Sequence, residues 1–248
     1  MTQDELARYL RTEGYKLLNG KKKEIEFSGI QAADKLLNDI ERTPHFFVLG
    51  CVMDRRVQAE RAWAIPYRIS QGIGGTAFDK FADLDLADLK GMFKEKGLHF
   101  LINDMPVFFH RAVEIIRDRY DGDASLIWSG SPPSADVAAQ FLDFSGIGPK
   151  ISSMATNILA RDFKVPMADY SGIDVSPDDQ VMRVFPRMGF VNADPTIRDI
   201  ITAGRRVNPE YPGIIDSVCW EIGREYCSPS KPRCDDCPVD RWCPKLTG

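Results

Sequence analysis

SADVAAQFLDFSGIGPKISSMATNILAR, residues 134 to 161, holds two helical segments joined by a four-residue turn, Ser145-Gly146-Ile147-Gly148. Gly146 and Gly148 admit positive φ and leave the backbone uncovered. Pro149 suits the first helical position, where its missing N–H has no intrahelical partner to lose. The second helix then carries an apolar stripe at Ile151, Met154, Ala155, Ile158 and Leu159. A turn of this kind aims backbone N–H groups at the positive end of a helix outward, which suits an anion such as a phosphate. The same turn also serves elsewhere as a plain connector. Lys150 falls in the first turn of the second helix, where the macrodipole disfavours a cation by up to about 1 kcal/mol. Two readings stand: a solvated surface lysine, or an amine kept neutral for nucleophilic use by that positive end and by burial against a bound partner.

Upstream, nearly every periodic segment has helical spacing, and no alternating run is long enough for a strand. Leu36, Leu37 and Ile40 end an early helix, and Phe46, Phe47, Leu49 and Val52 mark a buried one after Pro44. Ala59, Ala62, Trp63, Tyr67 and Ile69 predict a third, bent or restarted at Pro66. After the turn-rich QGIGGTAFDK, Asp85 caps a helix through Leu86, Leu89, Met92 and Phe93 that ends at Gly97. A longer amphipathic helix runs through Phe108, Phe109, Val113, Ile116 and Tyr120, and YDGDASLIWSGSPPS is a loop closed by Ser134 as N-cap. The basic run KKKEIEF at 21–27 reads as a solvated loop.

Downstream, SGIDVSPDDQVMRVFPRMGF places Asp178 and Asp179 after Pro177, at the start of a helix with Val181, Val184 and Phe185 inward. Acidic residues there also act as ordinary caps. The last segment holds Cys227, six residues, Cys234, two residues, Cys237, five residues, Cys243. Four thiolates within that span, between turns stiffened by Pro229, Pro232, Pro238 and Pro244, can converge on one centre. Zinc is one such centre, but its usual pattern is paired Cys-x-x-Cys knuckles, and only one pair is present. Cys51 and Cys219 sit in apolar contexts and read as core thiols.

These motifs resemble those of the endonuclease III superfamily of helix-hairpin-helix DNA glycosylases. FSGIGPK is similar to that family's Leu-Pro-Gly-Val-Gly-Arg-Lys hairpin, with Lys150 on the Schiff-base lysine, Ser145 replacing a proline and Pro149 replacing a basic residue. A family aspartate five residues before an Arg-Val pair falls on Asp178, with Asp179 as the fallback. The six, two, five cysteine spacing is the family's cluster spacing, and Gly223-Arg224 before Cys227 and Lys231-Pro232-Arg233 before Cys234 extend the likeness. Gln180 stands where relatives often have His, and the loop ADYSGIDVSP is longer than theirs.

The resemblance implies an all-α fold of two helical domains. A six-helix domain spans 43–164, with the helix-hairpin-helix at about 134–161; residues 1–42 join 165–248 in a second domain bearing a C-terminal [4Fe-4S] cluster on Cys227, Cys234, Cys237 and Cys243. It implies a base excision repair glycosylase with AP lyase activity. The enzyme binds double-stranded DNA containing a damaged or mismatched base and flips that base into an interdomain cleft. Lys150 is the nucleophile, and Asp178 stabilises positive charge on the sugar. Gly146, Ile147, Gly148, Lys231 and Arg233 contact the DNA backbone, and Arg55 or Arg56, before Gln58, fills the gap left by the base. Oxidised pyrimidines are the family's commonest substrates.

Composition bounds these expectations. The chain has 248 residues, a net charge of −4 and no uncharged apolar stretch long enough to span a membrane. The acidic balance argues against nonspecific coating of nucleic acid and leaves room for a local basic surface. MTQDELARYL lacks a secretion signal, so the expectation is a soluble cytoplasmic monomer, associated with the nucleoid if prokaryotic, with its thiols reduced. Alternatives from the same residues are a monofunctional glycosylase for mismatched or alkylated bases, a noncatalytic DNA-binding iron–sulfur protein, and an electron carrier.

Overall fold

The structure, a computed structural model, describes residues 2–22 and 24–246. Among the described residues there are helices, turns and loops and no strand, as the sequence pattern predicts. The α-helices in chain order are α1 (Thr2–Asn19), α2 (Gln31–Asn38), α3 (Pro44–Met53), α4 (Ala59–Trp63), α5 (Ile65–Ile73), α6 (Phe78–Ala82) and α7 (Leu86–Glu95). After them come α8 (Met105–Arg119), α9 (Ser134–Leu142), α10 (Pro149–Asn157), α11 (Asp179–Arg187), α12 (Ile197–Val207) and α13 (Asp216–Glu225). No described helix is long and apolar enough to cross a membrane.

The chain forms two compact units. A central unit runs from the residues after Lys22 to Gly130 and takes in Ala139–Ile151; a terminal unit comprises the residues up to Lys22, Ser131–Ala138 and those from Ser152 on. The chain changes unit within α9 and again within α10. These boundaries differ from those expected at 43 and 165. The stretch 24–42 belongs with the central unit because it is tied there: Phe27 packs 4.5 Å from the Trp63 ring and 6.3 Å from Phe47. Asn38 exchanges hydrogen bonds with the Ile25 backbone at 2.8 and 2.9 Å. Of the basic run, Lys21 and Lys22 are exposed, as a solvated loop requires, and Lys23 lies outside the described residues.

The core of the central unit is α3, PHFFVLGCVM, in which all ten residues are buried. Pro44 starts it where an N–H is not needed, and Phe47 meets the edges of Trp128 and Phe141 at 6.2 and 6.4 Å. Burial of each such ring contributes about 1.5–3 kcal/mol. Gly50 admits the Trp63 ring against its backbone; a methyl there would overlap it. His45 is buried among Phe46, Phe78 and Phe81. Its Nε2 lies 3.0 Å from Thr76 O, and burial holds its pKa down at about 4, which keeps the ring neutral.

Local chemistry accounts for the remaining elements. The helix expected to bend at Pro66 is two helices, α4 and α5, with Pro66 in the first turn of α5. Asp85 caps α7 through Asp88 N–H at 2.8 Å, and Gly97 takes φ +56° just beyond it. The loop at 120–134 contains a 3₁₀ turn at Ala124–Ile127 that buries Ile127 and Trp128. Ser134 lies inside α9 and does not cap it: its hydroxyl donates to Asp169 Oδ1 at 2.9 Å and accepts from Gly172 N–H at 3.0 Å.

In the terminal unit α1 packs against the 3₁₀ turn Pro212–Ile215 and against α13, and α11 packs on α12 and α13. Its core includes Leu6, Leu10, Phe185, Ile200, Ile214 and Ile222. A buried polar pair is fully used there: Tyr211 O–H donates to Asn157 Oδ1 at 2.6 Å, and Asn157 Nδ2 donates to Gly213 O at 2.8 Å. Lys164, at φ +61°, donates from Nζ to Leu17 O, Leu18 O and Arg161 O at 2.5–2.7 Å, and so caps the C-terminus of α1. Cys51 and Cys219 are fully buried core thiols, and burial pushes both well above the ordinary thiol range.

Candidate functional site

The hairpin between α9 and α10 is held by its own backbone. Phe141, Phe144 and Ile147 are buried, and the Ile147 N–H closes the turn on Phe144 O at 3.0 Å. Gly146 sits at φ +95°, and a Cβ there would lie 2.9 Å from Phe108 Cδ2, so both conformation and space demand glycine. Gly148 differs from expectation: its φ is not positive, and a side chain there would meet open space. The Ile147 amide is used inside the turn. Lys150 is exposed in the first turn of α10.

One expected residue lies beside this turn in the central unit. The Arg55 guanidinium is 5.7 Å from the centroid of Phe108, the ring that underlies Gly146. Arg55 O lies 3.0 Å from His99 Nε2, and Arg56 takes φ +56°. Burial lowers the His99 pKa, which favours the neutral ring. Gln58 precedes α4 and is exposed. Sequence reasoning missed Phe108, His99 and Phe100. Phe100 is 56% exposed and stacks on His99, with ring centroids 5.0 Å apart. The available signal was HFLI, an apolar cluster directly after the helix-ending Gly97.

In the terminal unit Asp178 is the N-cap of α11. Its Oδ1 accepts from Gln180 N–H at 2.9 Å and Val181 N–H at 2.8 Å. The capping reading is therefore realised, and it fixes the carboxylate at the positive end of the helix. Asp179 is exposed. Gln180 turns back along its own helix: its Oε1 accepts from Arg183 Nη2, and its Cβ packs against Gly223 of α13.

The four C-terminal cysteines carry no disulfide, and all four line one cavity together with Arg187, Met188, Ile222, Tyr226 and Val239. Burial raises the Cys237 and Cys243 thiols, and the charges of the neighbouring cysteines raise them further. Among the described residues no group of three or more His, Cys, Asp or Glu is drawn together as a metal-ion site. The donor set itself, four soft sulfurs facing one cavity, fits an iron–sulfur cluster. Two arginines of α11 hold the loop. Arg183 donates to Cys227 O at 2.7 Å and Gly223 O at 2.9 Å, and Arg187 donates to Ser228 O and Pro229 O, both at 2.8 Å. Neither was singled out from sequence, because their acceptors lie some forty residues on. Lys231 is exposed. Arg233 is exposed too, but lies 5.6 Å over the Tyr226 ring and donates to Glu225 O at the end of α13.

No family model matches the chain. Local sequence similarity connects it with adenine DNA glycosylases: 28% identity over 127 residues with that of Arabidopsis thaliana, covering 48% of this chain and 18% of the relative. With that of Rattus norvegicus it is 34% over 71 residues, covering 27% and 14%. The chain thus spans under a fifth of the length of these curated relatives. Similarity to solved structures covers nearly the whole chain. A non-covalent endonuclease III–DNA complex superposes with a TM-score of 0.65 at 17% identity, covering 98% of this chain and 95% of that one. A thermostable thymine-DNA glycosylase gives 0.63 at 14%, covering 98% and 96%. By architecture, then, the chain has the endonuclease III fold.

Proposed function

We propose that the chain is a DNA glycosylase of base excision repair, acting on duplex DNA that carries one damaged or mismatched base, and that it also has AP lyase activity. The observation that supports this best is the exposed amine of Lys150, placed in the first turn of α10 directly behind a turn that admits only glycine at 146. The backbone around Gly146 and Gly148, with Arg55 alongside, grips phosphates; it reads no sequence. The target nucleotide leaves the stack because its glycosidic carbon is otherwise unreachable.

In the proposed reaction the Lys150 nitrogen forms a bond to C1′, and the C1′–N bond to the base breaks. The electron pair leaves with the base, which takes up a proton. Asp178, held by the first amides of α11, stabilises the positive charge that develops on the sugar. Proton loss from the attached nitrogen and opening of the sugar ring give a Schiff base. Loss of a C2′ proton then expels the 3′ phosphate and nicks the strand. Cys227, Cys234, Cys237 and Cys243 hold a [4Fe-4S] cluster that supplies a structural centre for the loop bearing Lys231 and Arg233. Those two residues add charge facing the DNA backbone.

Borohydride trapping on duplexes each bearing a single lesion tests the assignment. The wild-type protein forms a covalent adduct, and Lys150→Gln forms none; an adduct that persists in Lys150→Gln defeats the nucleophile assignment. The similarity to adenine DNA glycosylases favours a second reading, in which water attacks C1′ and an abasic site remains. Base release from mispaired adenine, with no trapped adduct in the wild-type protein, selects that reading. A panel that includes oxidised pyrimidines and mispaired adenine identifies the substrate.

A further inference from the structure

Arg187, the last residue of α11, meets the cysteine loop through both its side chain and its backbone. Its Nη1 lies 3.3 Å from Cys227 Sγ, 3.4 Å from Cys227 O and 2.8 Å from Ser228 O, and its Nη2 lies 2.8 Å from Pro229 O. Its own carbonyl accepts from Cys243 Sγ at 3.5 Å and from Leu246 N–H at 3.1 Å. One residue thus touches the first and the last of the four cysteines and lines the cavity they share. The neighbouring Arg183 reaches only oxygens: Cys227 O, Gly223 O, Asp179 O and Gln180 Oε1.

We infer that Arg187 is the positioning residue of the iron–sulfur site: its fork sets the first turn of the ligand loop, and its charge, held against Cys227 sulfur, stabilises the more electron-rich state of the cluster. The inference rests on the cluster reading above. Four thiolates concentrate negative charge in one cavity, and a guanidinium stays protonated at any working pH. An N–H donated to a ligand sulfur stabilises the reduced form over the oxidised one and so raises the reduction potential. A lysine at this position keeps a charge but cannot span the sulfur and the successive carbonyls of residues 227, 228 and 229.

The test uses the full chain, purified under nitrogen with its cluster, and three variants: Arg187→Gln, Arg187→Lys and Arg183→Gln. Iron and sulfide content, the rate of iron release to EDTA, and the reduction potential of the protein adsorbed on a graphite electrode are measured. Arg187→Gln releases iron about 10-fold or more faster and has a lowered potential. Arg187→Lys keeps most of the potential and loses the resistance to EDTA, whereas Arg183→Gln releases iron faster with the potential unmoved.

An Arg187→Gln protein with the wild-type potential overturns the inference whatever its stability, because a merely structural anchor would leave the potential in place. An Arg183→Gln protein with an equally lowered potential overturns it too. If Arg187→Gln does not fold, Arg187→Lys decides, and iron release at the wild-type rate refutes the fork. A wild-type protein that holds zinc, or no iron, removes the cluster reading itself; a loaded wild type with unmoved variants removes this inference alone.

Discussion

The hairpin turn at 145–148 and the cysteine loop at 227–243 are both short irregular segments packed beside a helix, and only the second leans on side chains distant in sequence. The hairpin is closed by one backbone hydrogen bond from Ile147 and one glycine torsion, with buried Phe144 beneath it. The cysteine loop has local turns of its own, with Cys237 N–H on Cys234 O and Cys243 N–H on Val239 O, both at 2.9 Å, but its start at 227–229 also hangs on arginines some forty residues earlier. Local backbone chemistry closes the first. The second adds to its local turns a dependence on a distant helix.

The comparison predicts unequal responses. The largest is expected from Cys237→Ala, which removes one sulfur from the shared cavity: on the cluster reading proposed above, losing the cluster costs the terminal unit about 3 kcal/mol or more. Hydrogen exchange reads this as lost amide protection in residues 227–243 with the hairpin amides unchanged; equal loss in both would break the contrast. Of similar size is an effect confined to the central unit. The His45 pKa is about 4 in the folded chain against an ordinary 6.5, so the unfolded chain binds the extra proton first as pH falls. Stability is complete above pH 6.5 and declines toward pH 4, by about 3 kcal/mol at most. Urea titrations across that window should show the slope in the wild type and a shallower one in His45→Phe.

Gly146→Ala is expected to cost about 1–3 kcal/mol through its torsion and the contact with Phe108. Adding Phe108→Ala recovers the steric part and leaves the torsional part, a separation that chemical denaturation of the single and double variants measures. The smallest effect concerns Lys231 and Arg233. Replacing either with Gln lowers the salt dependence of duplex binding by about one unit of slope. Arg233→Gln also loosens the end of α13, so it alone lowers the melting temperature; equal melting temperatures for the two variants would assign Arg233 to the solvent.

What could be read in the sequence follows the same division. Glycine at 146, proline at 149 and aspartate at 178 act on their immediate neighbours, so their signals survive in a string of letters. The division of the chain did not survive. That 24–42 packs with the central unit depends on Phe27 meeting Trp63, a contact with no local mark. Gly148 looked equivalent to Gly146 and is not, because only one of the two torsions is positive. The duties of Arg183 and Arg187 were hidden for the same reason as Phe27: their partners are distant in sequence, and an arginine on a helix has no signature of the carbonyl it will find. Gln180, which stands out in the sequence only as replacing a His common in relatives, has its side chain at the contact between α11 and α13, which the sequence did not mark.

The discontinuity of the terminal unit bears on how the chain is made. α1 is made well before its packing partners at 212–215 and α13, which emerge about 200 residues later, a delay of roughly 10–40 s at ordinary elongation rates. Until residues 158–162 are made, α1 lacks its main packing partners within its own unit, while most of the central unit is already out and able to collapse. Ile158–Asp162, which also pack against α1, and then Lys164 are made before either partner, and Lys164 fastens the end of α1. A nascent chain arrested short of residue 158 therefore lacks the groups that pack against its first helix.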